Sequence, residues 1–147
     1  LTTGAWCYYQ NDTANGIVYG KLYNWYAVND PRGLAPAGYH VPSDGEWTSL
    51  INFLGGESVA AGKMRATSLW NSPNAGATNS SGFTGLPGGF RPGAGPFDMI
   101  GSIAFWWSSS QSFDNFSWYY YLENDYGDAS RSYLNKSCGF SVRCIKD

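Results

Sequence analysis

The 147-residue chain carries 14% charged residues and a formal net charge of −2, so it has no basic field to hold a phosphate backbone and nucleic acid is excluded as a partner. Eleven Tyr, eight Phe and seven Trp beside nineteen Gly and seven Pro exclude a disordered chain and describe a loop-rich fold packed by aromatic rings. The length suits one domain with a real core, residues 1–147, and no apolar run approaches the about 18 residues of a membrane-spanning helix, so no direct membrane insertion is expected.

The opening Leu1-Thr2-Thr3-Gly4 has neither a basic nor an apolar signal region, which places any export signal outside this sequence. Gly20 to Val28 spaces Leu22, Trp25 and Tyr26 as an apolar stripe and predicts a short helix before the turn at Asn29-Asp30-Pro31. A second helix is better signed. Ser43 with Glu46 three residues later forms a capping box, Trp47, Leu50, Ile51 and Leu54 follow at helical spacing, and Gly55-Gly56 ends the run. From Lys63 to Pro96 the periodicity fades into Gly, Asn, Ser and Pro, which predicts long loops with one short strand between Phe83 and Phe90.

Strand signals return at Ile103–Ser108, Ser117–Glu123, Ala129–Leu134 and Phe140–Ile145. Within the second of these, Trp118, Tyr120 and Leu122 share one face, read as inward, while Tyr119 and Tyr121 share the other, read as free to meet a ligand. Asn124 to Asp128 is a hairpin turn. Of the cysteines Cys7, Cys138 and Cys144 at least one is unpaired; a Cys7–Cys144 bridge and a reduced set with Cys138 as the surface thiol both remain open. Ser110 to Cys138 has the composition of an antibody paratope, with eight aromatics among Ser, Asn, Asp and Gly; Tyr supplies contact area at low entropic cost and the small polar residues supply adaptable hydrogen bonds.

Several blocks, in order, resemble the Fibrobacter succinogenes major paralogous domain family: Leu34 to Ser43 leading to Glu46-Trp47, Trp70-Asn71-Ser72-Pro73, Gly82 to Arg91, Phe105 to Ser109 and Gly139 to Cys144. The resemblance runs over nearly the whole chain. It implies an α+β, C-type-lectin-like fold, two helices around a small twisted antiparallel sheet with long loops. It also implies an extracellular or cell-surface protein, a bacterial lipoprotein or pilus tip, or a phage tail protein. Some lectin-fold proteins of this kind are targets of diversity-generating retroelements, which randomise adenine positions of a C-terminal segment. Phe113, Asp114, Asn115, Phe116, Tyr119, Tyr121, Asn124, Asp125, Tyr126, Ser130, Ser132, Tyr133, Leu134 and Asn135 are all reachable from AA-pyrimidine codons and form the expected ligand-binding set, as is Cys138; Gln111, Trp118, Glu123 and Lys136 are not and would be constant. Two departures stand out: Ala35 replaces a Cys that many relatives carry, and the chain begins close to the first block, so an upstream strand or anchor is expected to precede it.

His40, the only histidine, precedes a helix cap and is read as a capping-region residue rather than a catalytic one. Glu123-Asn124-Asp125 lacks the calcium signatures of sugar-binding lectins and is read as a solvated turn. Trp106 and Trp107 alternate faces along a strand, so at most one is free to meet a ligand; the resemblance implies that both are structural and that Arg91 and Arg143 are buried hydrogen-bond hubs rather than ligand contacts. No catalytic residue, metal or cofactor is expected. The expected function is display of a binding surface, contained in residues 110–138, to a protein or glycan receptor on another cell; the alternative is a fixed-specificity carbohydrate-binding domain of a secreted or surface bacterial protein.

Overall fold

The computed structural model describes residues 2–147; Leu1, the first residue of the stretch read for an export signal, lies outside the described residues. The architecture is α+β, with four α-helices and small antiparallel sheets. Its centre is the three-stranded sheet β6 (Ile103–Phe113), β7 (Phe116–Glu123) and β8 (Ser130–Asn135), paired in that order. The four helices and six further strands frame it: β1 (Trp6–Cys7), α1 (Thr13–Tyr19), β2 (Leu22–Tyr23), α2 (Trp25–Val28), β3 (Tyr39–His40), α3 (Asp44–Phe53), α4 (Glu57–Met64), β4 (Gly88–Phe90), β5 (Asp98–Ile100) and β9 (Ile145–Lys146).

The predicted helix over Gly20–Val28 is corrected to a strand followed by a single helical turn. Gly20, at φ 78°, closes α1. Tyr23 then pairs with Trp6 and bridges to Phe140, and the buried Asn24 caps α2 by accepting from the Ala27 N–H at 3.1 Å. Helix α3 follows its capping box: the Ser43 hydroxyl accepts from the Glu46 N–H, and the Glu46 carboxylate accepts from the Ser43 N–H. Gly55 and Gly56, at φ 110° and 89°, turn the chain sharply into α4, which buries Ala60, Ala61 and Met64. Helices α1 and α4 were not anticipated, so the expectation of two helices becomes four.

The central sheet is covered on both faces. On one, Trp47, Ile51 and Leu54 of α3 and the small residues of α4 pack against Ala104, Trp106, Tyr120 and Leu122. On the other, Trp25, Val28, Val41 and Phe140 pack against Phe105 and Trp107, with Tyr119 and Tyr121 partly buried beside them. Trp106 is 3% exposed and Trp107 0%, so neither is free to meet a ligand and both are structural, as the resemblance implied. The expectation that the Tyr119 face is free is therefore corrected. Tyr119 lies 4.8 Å from Phe140 and 5.8 Å from Phe105, centroid to centroid, because the segment after Gly139 folds over it.

The predicted strand Phe140–Ile145 is likewise corrected. Phe140 bridges Tyr23 and Ser141 bridges Trp106, and regular pairing resumes only where β9 meets β3. All three cysteines are free; Cys138 is buried and Cys144 is the exposed thiol, the reverse of the surface assignment made for Cys138.

Candidate functional site

The expected ligand-binding residues separate into three groups. The first sits at the turn end of the β6–β7 hairpin. Two register shifts, between Trp107 and Gln111 and between Gln111 and Phe113, re-aim the end of β6 so that Phe113 opposes Phe116 across the Asp114–Asn115 turn. On the neighbouring strand Tyr133 pairs with Trp118. The Tyr133 ring centroid lies 5.3 Å from Phe113, 6.0 Å from Phe116 and 5.5 Å from Trp118, each pair edge-to-face at 85–90°. Phe113 is 58% exposed, Tyr133 46% and Phe116 36%, so this is a contiguous aromatic surface in water.

Trp118, read as inward, is only partly buried, because α3 covers the Tyr120 and Leu122 end of β7 and stops short of it. The Arg131 guanidinium lies 4.1 Å above its ring and is held there by Asp44 of α3, Nη1 to Oδ2 at 2.7 Å. Asp44 in turn accepts from the Tyr120 hydroxyl at 2.9 Å, and its backbone N–H donates to Ser110 Oγ at 3.0 Å. The first turn of α3 thus fixes one edge of the aromatic surface.

From beneath, the hairpin is fixed by Lys136, which is 5% exposed. Its N–H donates to the Asn115 carbonyl at 2.9 Å, its ammonium donates to the Asp114 carbonyl at 2.7 Å, and Nζ lies 4.5 Å from the Trp25 ring. Trp25 closes the arrangement by donating its indole N–H to the Ser108 carbonyl and its backbone N–H to the Lys136 carbonyl.

The second group, Tyr119, Tyr121, Ser130, Ser132 and Leu134, shares the opposite face of β7 and β8, where Tyr121 pairs with Ser130 and Tyr119 with Ser132. All five are half-buried, and burial raises the Tyr119 hydroxyl pKa. The third group ties the loops. The Asn124 amide donates to the carbonyls of Asn71 and Ser72, and the Asn135 side chain accepts from the Ser137 N–H and hydroxyl. Asp125 and Tyr126 project from the same turn and are exposed. Burial and the nearby Asp125 raise the Glu123 carboxyl pKa. Among the described residues no group of three or more His, Cys, Asp or Glu side chains is placed to hold a metal ion.

The family model of the Fibrobacter succinogenes major domain matches residues 1–146. The chain belongs to that family. No curated protein and no solved structure matches the chain. In this member of the Fibrobacter succinogenes major domain family, the blocks that carried the resemblance build the frame around the hairpin. Trp70 donates to the Gly85 carbonyl, and the Arg143 guanidinium donates to the carbonyls of Phe83 and Thr84, a hub as expected but half-buried rather than buried. Arg91 is corrected: it is exposed, with its guanidinium 5.4 Å from the Phe97 ring.

The hub that sequence reasoning missed is Arg65, which is 2% exposed and donates to the carbonyls of Glu123, Tyr126 and Ala75. It pins the Asn124–Asp128 turn to the frame, and burial lowers its pKa. His40 bridges two carboxylates, with Nε2 2.8 Å from Glu46 Oε1 and Nδ1 2.7 Å from Asp147 Oδ1, at the mouth of the α3 cap.

Proposed function

We propose that the chain is a ligand-display module with a C-type-lectin-like fold, which presents a tunable surface in residues 110–138 to a protein or glycan receptor on another cell. The observation that carries the reading is the edge-to-face cluster of exposed Phe113, Phe116 and Tyr133 on the half-buried Trp118, flanked by Arg131. Exposed aromatics and arginine on a rigid support are the side chains that dominate binding energy at interfaces. The support is independent of the displayed residues: Lys136, Trp25 and Arg65 fix the backbone of the hairpin and the following turn through its carbonyls, and Asp44 holds the Arg131 side chain, so side chains at Phe113, Asp114, Asn115, Phe116, Asp125, Tyr126 and Tyr133 can be exchanged without loss of the frame. Tyr119, Tyr121, Ser130, Ser132 and Leu134 shape the opposite face and tolerate narrower exchange, because they pack on Phe105 and Phe140.

In this reading the module works outside a cell, on a bacterial lipoprotein, a pilus tip or a phage tail, and its segment 110–138 is diversified by a retroelement. It has no catalytic role. The test is the genomic locus, searched for a near-copy of the DNA encoding Gln111 to Cys138 beside a reverse transcriptase. The expected copy differs only at adenines, with changes at the exposed positions and none at Gln111, Trp118, Glu123 or Lys136. The absence of such a copy, or changes that fall on Trp118 and Lys136, refutes diversification and leaves the fixed-specificity carbohydrate-binding domain as the better reading.

A further inference from the structure

A separate concavity of about 330 Å³ lies between α3 and the C-terminal segment and shares no lining residue with the aromatic surface. Its apolar walls include Trp47 and Leu50 of α3, Phe83 of the long loop, and Ile145 of β9. That volume falls in the lower part of the range of small-ligand sites, which are mostly apolar with a few polar groups that fix orientation.

The polar groups here are unequal. Glu46 lines the concavity, but its carboxylate is committed to the Ser43 N–H and hydroxyl and to His40, each at 2.8 Å. Arg143 is not so committed. Its Nη2 donates to the carbonyls of Phe83 and Thr84 at 2.8 and 2.9 Å, its guanidinium lies 4.6 Å from the Phe83 ring, and no carboxylate among the described residues pairs with it. Nε and Nη1 have no hydrogen-bond acceptor among the described residues. Burial already disfavours its charged form. Arg143 is half-buried and its free donors meet solvent, so a carboxylate that reaches them gains charge-assisted hydrogen bonds beside apolar walls.

We propose that this concavity binds a small hydrophobic monocarboxylate, with its apolar body between Leu50, Phe83 and Ile145 and its carboxylate on Arg143. A cavity of about 150 Å³ accommodates benzene, so the body that fits is about two fused rings or a branched chain of similar bulk. The site is independent of the display surface, and either can fail without the other.

The test is calorimetric titration of the whole chain with naphthalene-2-carboxylate and with its primary amide, supported by the rate of alkylation of the exposed Cys144, which also lines the concavity. The expected result is saturable one-to-one binding of the acid, at least about tenfold tighter than the amide, with slower Cys144 alkylation in its presence. Leu50→Trp, which fills the concavity, should abolish binding; Ile145→Trp, at a residue 41% exposed and so free of core packing, serves the same purpose if the first variant unfolds. Arg143→Gln should bring acid and amide to equal affinity. No saturable binding at millimolar acid, equal binding of acid and amide by the native chain, or binding that survives both Trp variants would overturn the proposal.

Discussion

Tyr119 and Tyr133 sit on adjacent strands within the same paratope-like segment, yet their replacement by alanine should cost the fold very different amounts. Tyr119 packs against Phe140, Phe105, Tyr121 and Trp107 at centroid distances of 4.8, 5.8, 5.7 and 6.3 Å. Full burial of an aromatic ring is worth about 3–5 kcal/mol on truncation to alanine, and a half-buried ring about half of that, so Tyr119→Ala should cost about 2 kcal/mol. For a chain of 147 residues the unfolding entropy near the midpoint is about 0.3 kcal/mol/K, which converts the loss to a fall of about 6 °C in Tm. Tyr133 is 46% exposed and touches only other surface rings. Edge-to-face pairs contribute about 0.5–1.5 kcal/mol beyond area when well packed, and water on one side discounts that, so Tyr133→Ala should lower Tm by about 2 °C. Thermal unfolding followed by far-ultraviolet circular dichroism, with reversibility checked by a second scan, decides the matter. A Tyr119→Ala variant within 2 °C of the native chain, or a Tyr133→Ala variant that falls further than it, refutes the division of the segment into a packed face and a displayed face.

Three other outcomes follow from the same geometry. Lys136→Ala removes the ammonium bond to the Asp114 carbonyl, the contact with Trp25 and the buried stem, and should cost about 2–3 kcal/mol; amide exchange at Asn115 and Phe116 should quicken more than exchange in α3. Hydrogen bonds to Asp147 and Glu46 raise the His40 pKa above its ordinary 6.5, so its contribution to stability is complete below pH 6.5 and fades as pH rises through the raised value. Glu46, lowered from 4.5 mainly by the Ser43 N–H, contributes fully above pH 4.5 and loses its contribution as pH falls through the lowered value. Tm should therefore peak between about pH 4.5 and 6.5, and His40→Gln should flatten the alkaline limb; an unchanged limb contradicts the bridge. Maleimide at neutral pH should modify Cys144 in the native chain, slowly because burial raises its pKa, and reach the buried Cys138 only after unfolding, as read by peptide mass spectrometry.

What the sequence made legible was local. The Ser43–Glu46 capping box and the apolar spacing after it define α3 without help from distant residues, and alternation along Ser117–Glu123 correctly assigned side chains to two faces. Helix α1 left no such signal: none of its residues is buried, so no apolar stripe marks it, and Asn15 and Gly16 are weak helix formers. Period-two alternation says which rings share a face but not what covers that face. The cover over Tyr119 comes from Phe140, which is held by its bridge to Tyr23, almost a hundred residues upstream of Tyr119. Arg65 was illegible for a similar reason. It bonds to backbone carbonyls, which every residue type supplies, so no side-chain pattern announces it. For the candidate surface, composition marked out the segment 110–138, while the grouping of Phe113, Phe116, Trp118 and Tyr133 within it depended on the hairpin register and on the end of α3.

The central claim is that this aromatic surface binds a receptor. The direct measurement is binding of the fluorescently labelled chain to a panel of intact bacterial cells and to a glycan array, beside the Phe113→Ala/Tyr133→Ala double variant. The account predicts saturable binding by the native chain that falls at least about tenfold in the double variant, since central aromatics carry most of the energy of an interface, while its Tm stays within about 4 °C of native. Saturable binding that the double variant retains in full would contradict it.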